Sequence, residues 1–174
     1  MANTYTLIES QTLGSNQASV TLGVGGTIPQ TYTDLQVVYS TRSSIGTGHS
    51  NNLFTTFNGA TSRYYEYTMY NAGGSLGSTS KSNSDPYFNW VALAQGAETN
   101  TWSTGQFYIT NYTSSNPKSI SVEYTSQGNN GLVWQMVNGA TWDPASNVPI
   151  TSITFTHSNI LAGSTFYLYG IKNS

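Results

Sequence analysis

The chain has no cysteine, which excludes disulfides, thiolate metal sites and a cysteine nucleophile. Its 174 residues must therefore be held by the core alone, and that length is sufficient for one domain to bury a core without staples. Charge is nearly as scarce: Lys, Arg, Asp and Glu supply 7% of the residues, against about 25% in an ordinary soluble domain. Solvation falls to Ser, Thr, Asn, Gln and Gly, and such a surface carries little long-range field. The cations Arg42, Arg63, Lys81, Lys118 and Lys172 are scattered and the formal net charge is -2. Counterion release needs clustered cations, so no nucleic-acid partner is expected. No apolar run approaches the roughly 20 residues of a membrane span, and MANTYTLIES lacks the basic start and apolar run of a signal peptide. The expectation is a soluble product with no membrane partner, not exported by the general secretory route.

Helical periodicity is missing as well. No window of 11 or more residues holds an i, i+3, i+4, i+7 apolar pattern, and good helix formers are sparse. An aromatic content of 13% with so little charge also excludes disorder. What remains is alternation, which predicts an all-β chain: strands at Thr4–Leu13, Ser19–Leu22, Asp34–Arg42, Leu53–Phe57, Tyr64–Tyr70, Tyr87–Leu93, Gln106–Tyr112, Ser119–Tyr124, Leu132–Val137, Ile150–Phe155 and Thr165–Ile171. That is about ten strands if Ser19–Leu22 is half of an opening hairpin. Asn58-Gly59, Asn130-Gly131 and Asn138-Gly139 are turn signals because they tolerate positive φ, and Asp85-Pro86 and Asp143-Pro144 favour turn initiation. Ser43–Ser50 and Ala72–Ser84 read as long loops. The regular spacing predicts a single domain spanning residues 1–174, a jelly-roll-like antiparallel β-sandwich.

Chemistry-bearing residues are few. His49 and His157 fit no metal-ligand spacing, and His157 shares the parity of Ile153 and Phe155, which makes it a core-capping residue. Of the seven carboxylates, Asp85 and Asp143 precede prolines in turns, Asp34 starts a strand and Glu123 lies on a polar face; no local calcium cluster occurs, and a catalytic pair is not expected. There is no G-x-S-x-G elbow or P-loop, and Gly23-Val24-Gly25-Gly26 runs into Thr27-Ile28-Pro29, which cannot open a phosphate-binding helix. The expectation is a protein that is not an enzyme, with no metal and no cofactor. The aromatic residues are more informative. In RYYEYTMY, alternation sets Tyr65, Tyr67 and Met69 against Tyr64, Glu66, Thr68 and Tyr70, so both faces carry flat groups. Tyr64, Tyr65 and Tyr67, with Trp102 and Trp142 near loops, are candidate contacts for a partner or a sugar ring, while Trp90 and Trp134 lie in apolar strands and are expected in the core. Tyr167 and Tyr169, opposite Phe166 and Leu168 in the last strand, are candidate subunit contacts, and Ile171 shares their parity.

Taken together, YTLIESQTLG at the start, IPQTYTDLQVVYSTR at Ile28–Arg42, FNGATSRYYEY at Phe57–Tyr67, ITNYTSSNPKSISVE at Ile109–Glu123 and ITSITFTHSNILAGSTFYLYGI at Ile150–Ile171 resemble small virion proteins of tailed, especially aquatic, bacteriophages. The resemblance spans nearly the whole chain, and its motifs are structural. It implies a β-sandwich module on the surface of a phage particle assembled in the host cytoplasm. Such a module is a capsid cement or decoration protein bound to the major capsid protein, commonly as a homotrimer, or alternatively a tail-associated receptor- or carbohydrate-binding part that takes a glycan. If Tyr167 and Tyr169 both face outward, the double variant Tyr167→Ser, Tyr169→Ser is expected to weaken self-association, read as a lower mass in light scattering; an unchanged mass removes them from any subunit contact.

Overall fold

The computed structural model describes residues 4–44, 50–85, 88–93, 100–127, 133–146 and 148–172. They form β1 (Tyr5–Thr12), β2 (Gln17–Leu22), β3 (Asp34–Thr41), β4 (Ser50–Phe57), β5 (Tyr64–Ala72), β6 (Ser75–Asp85), β7 (Phe88–Leu93), β8 (Ser103–Ile109), β9 (Lys118–Gln127), β10 (Val133–Trp142), β11 (Ile153–Ile160) and β12 (Thr165–Ile171). Every pairing is antiparallel. A sheet of eight, ordered β1-β12-β3-β8-β9-β10-β5-β6, faces a sheet of four, ordered β2-β11-β4-β7, and the result is a β-sandwich.

Alternation decides which side chains meet between the sheets, because an antiparallel strand with one solvated face buries every second residue. Leu35, Val37 and Tyr39 of β3, Phe107 and Ile109 of β8, Ile120, Val122 and Tyr124 of β9, and Phe166 and Leu168 of β12 are all buried. Val20, Leu22, Leu53, Phe57, Ile153 and Phe155 of the smaller sheet are buried with them. The Phe155 ring lies 4.8 Å from that of Phe166 and 5.9 Å from that of Phe107, within the range of favourable aromatic pairs. Gly105 is required on β8: a Cβ there would strike the Tyr39 ring and come within 2.9 Å of Tyr124 Cβ. Its missing side chain is the space that Tyr39 fills.

A second cluster lies where the larger sheet extends beyond β8. Phe57 of β4, Phe88 of β7, Tyr64 of β5 and Trp142 of β10 are fully buried. Their centroids are separated by 4.6 Å (Tyr64–Phe88), 5.4 Å (Phe57–Trp142) and 5.6 Å (Phe57–Phe88). The Tyr64 hydroxyl accepts from the Phe57 amide at 2.9 Å and donates to the Ala60 carbonyl at 3.1 Å, so it pins the turn that carries the chain from one sheet to the other. That turn is Asn58-Gly59, with φ of 52° and 68° and the Ala60 amide bonded to the Phe57 carbonyl at 2.9 Å, as its sequence predicts.

Several expectations are corrected. Ala72–Ser84 is not a long loop: β5 and β6 make a hairpin through Gly73 and Gly74, both at positive φ, with the Gly74 amide bonded to Asn71 Oδ1 at 2.9 Å. An edge strand needs no apolar alternation, so Ser, Thr and Gly hid it. Asn138-Gly139 is not a turn; both lie inside β10, paired on each side with β9 and β5, and neither has positive φ. Ser19–Leu22 does not pair with β1, because β2 joins β11 in the other sheet. Ile171 is buried although it shares the parity of Tyr167 and Tyr169, and Trp134 is half-buried. Asn130-Gly131, His49, Glu98, Pro86, Tyr87 and most of the Ser43–Ser50 loop lie outside the described residues, as do the side chains of Asp85 and Trp90.

Replacing Trp142 with Ala removes the largest member of the second cluster and is expected to cost about 3–5 kcal/mol. Urea unfolding measures this, and the half-buried Trp102→Ala should lose distinctly less.

Candidate functional site

The face of the eight-stranded sheet turned away from the core is the broadest exposed feature of the described residues, and strand register sets what it displays. One row across the sheet runs Ser10, Tyr167, Val38, Gln106, Glu123, Val137, Met69 and Ser78, each directly beside the next. A parallel row runs Leu7, Tyr169, Gln36, Tyr108, Ser121, Gly139, Tyr67 and Ser80. A third runs Thr12, Thr165, Ser40, Thr104, Thr125, Gln135, Asn71 and Leu76. Glu123 is the one charged side chain in these rows.

Two apolar regions flank a polar middle. At the β10-β5-β6 end, Tyr67 is 73% exposed, Met69 67% and Leu76 85%, with Val133 and Val137 beside them. At the β1-β12 end, Tyr5 and Leu7 are exposed next to half-buried Tyr167 and Tyr169. Exposed apolar side chains gathered together are the ordinary content of protein interaction surfaces. Between them Gln36 Nε2 donates to Gln106 Oε1 at 2.6 Å and Gln106 Nε2 donates to Glu123 Oε1, a fixed run of amides across β3, β8 and β9. Tyr108 donates to Asp34 Oδ2 at 2.6 Å; burial first, then this bond to the carboxylate, pushes its hydroxyl up to about 12. Shallow grooves of about 300, 480 and 520 Å³ adjoin along the face, the first against Val38, Gln106 and Glu123, the others against Met69, Val137 and Leu76 or Tyr67.

Of the side chains singled out by sequence, Tyr65, Tyr67, Tyr167 and Tyr169 are on this face. Tyr64 and Trp142 are not available to a partner or a sugar: each is 1% exposed, because the inward parity of β5 and β10 places them in the second aromatic cluster. Trp102 is half-buried at one end of the sandwich, against Gly163. Val133, Val137 and Leu76 were missed. The alternation Val133, Gln135, Val137 opposite Trp134 is a signal present in the sequence, and Leu76 lies in the stretch that reads as a loop.

Several other titratable groups among the described residues are engaged in structure. Asp34 also accepts from the Asn111 amide at 2.8 Å, Glu9 accepts from Gln11 and the Gly23 amide, and Asp143 pairs with Arg63. Lys118 is fully buried and donates to the Ser114 and Asn116 carbonyls, and burial lowers its pKa. Among the described residues no three His, Asp or Glu side chains are grouped as metal ligands. Comparison with protein-family models, with curated proteins and with solved structures finds no match.

His157 is buried on β11, with Nδ1 accepting from the Asn159 amide at 3.0 Å and 3.3 Å from Ser43 Oγ. Burial lowers its pKa below the usual 6.5. The unfolded chain therefore binds the proton more readily, so this residue destabilises the fold as pH falls through 6.5 toward its folded value. The Tm is expected to drop between pH 7.5 and pH 5, and His157→Asn should flatten that part of the profile; an unchanged slope assigns the effect elsewhere.

Proposed function

We propose that this chain is a structural protein of a tailed-phage virion, a decoration or cement protein that stabilises the head by binding between capsomers of the major capsid protein. The observation that carries the proposal is the outward face of the long sheet, nearly free of charge, with apolar side chains at both ends and a fixed amide run between them. Such a face works by being covered by protein. No acid-base pair or ligand cluster among the described residues competes with it for a role.

The strand order adds support. β1 lies beside β12, β2 beside β11, β3 beside β8 and β4 beside β7. That is the pairing obtained when one long antiparallel hairpin wraps around itself into two four-stranded sheets, the jelly roll found in viral capsid and lectin domains. On this reading β5-β6 and β9-β10 are hairpins added to one edge. The resemblance of the five sequence segments to phage virion proteins points the same way. The carbohydrate-binding alternative is weakened, because two of its five stacking candidates, Tyr64 and Trp142, are buried.

The test is rebinding. Virions stripped of this protein should take up the purified chain at a fixed ratio to the major capsid protein and regain resistance to heat. A chain that does not return to stripped particles is not a decoration protein, and heat released on titration with host surface polysaccharide would turn the assignment to the tail.

A further inference from the structure

We propose that the outward face of the eight-stranded sheet is the contact surface for a second copy of this chain, related by a two-fold axis parallel to the strands through the middle of the sheet. This rests on the reading of that face as a protein contact and gives its occupant as a second copy of this chain, so that the pair, through its other surfaces, is what meets the capsid. An axis so placed reverses the strand order: β1 of one copy lies over β6 of the other, β12 over β5, β3 over β10 and β8 over β9.

The register states what would then meet. In the central row, Tyr167 lies over Met69 of the second copy and Val38 over Val137 of the second copy, apolar on apolar. Gln106 lies over Glu123 of the second copy, an amide donor over a carboxylate. In the next row Tyr169 lies over Tyr67 of the second copy. The charged side chain of these rows thus meets an amide and avoids its own image, which would repel. An unrelated partner does not require the inner strands of one sheet to match each other across its middle, as β12, β3 and β8 match β5, β10 and β9 in the central row; an isologous contact does.

Size agrees. Eight strands each about 4.8 Å wide and three rows each about 7 Å deep cover about 38 by 21 Å, on the order of 800 Å², the area each partner contributes to a stable interface. Sheets packed face to face lie about 10 Å apart with their strands roughly aligned, which this axis provides.

Sedimentation and light scattering of the purified chain should give twice the chain mass. Val137→Lys, on the exposed face, should give the single-chain mass with an unchanged circular dichroism spectrum, whereas Thr156→Lys, exposed on the smaller sheet, should leave the pair intact. The absence of native cysteine permits a test of the axis. Val38 and Val137 in one chain are three strand spacings apart, about 14 Å, too far for an internal disulfide. Oxidising a mixture of Val38→Cys and Val137→Cys chains should join the two variants to each other, and neither variant alone should cross-link. A wild-type monomer or trimer, or disulfides between like variants, overturns the proposal. A monomer that still rebinds stripped virions overturns this inference alone and leaves the decoration role standing, whereas a pair that fails to rebind does the reverse.

Discussion

The extended half of this fold depends on the Tyr64 hydroxyl and the rings packed around it. The eight-stranded sheet is twice as wide as the sheet that faces it. Its outlying strands need an anchor, and the buried contact of Tyr64 and Trp142 with Phe57 and Phe88 supplies one. A buried phenol usually finds hydrogen-bond partners, and this one, unlike those of Tyr39 and Tyr124, takes both from the crossing turn at Phe57–Ala60. Packing and backbone geometry are joined at a single side chain, so the position of β5, and through it β6, follows from the turn.

Much of the architecture was legible because burial on one face leaves a period of two in the sequence. Ser119–Tyr124 and Asp34–Arg42 show it plainly, and both are central strands with one solvated side. The failures have a common physical origin. β6 buries too little to need apolar residues, so its Ser and Gly content looked like a loop. Asn138-Gly139 has the composition of a turn, yet Asn138 is buried and donates to Thr68 Oγ1 at 2.9 Å between two flanking strands, and tertiary pairing overrides the local preference.

The candidate face was half legible. Parity placed Tyr65, Tyr67 and Met69 together, and Tyr167 with Tyr169, but parity alone does not say which side is the core. On β5 the inward side carries Glu66 and Thr68, polar residues that a sequence reader assigns to water. On β10 the outward side carries the valines. Hydrophobicity is inverted in this part of the sheet: polar groups are buried and apolar ones exposed. That inversion is the ground on which a contact surface is proposed.

The place of β12 has a consequence in time. This strand lies between β1 and β3, and β11 lies between β2 and β4. A ribosome releasing the chain from its beginning delivers β1, β2, β3 and β4 long before the strands that must separate them. Until residues 153–171 emerge, the early strands are deprived of their true neighbours, and collapse of β1 directly against β3 is a tempting wrong register. Pairing across so much intervening sequence makes folding slow. The scarcity of long apolar runs, in these early strands as in the rest of the chain, leaves a waiting nascent chain few sites for aggregation.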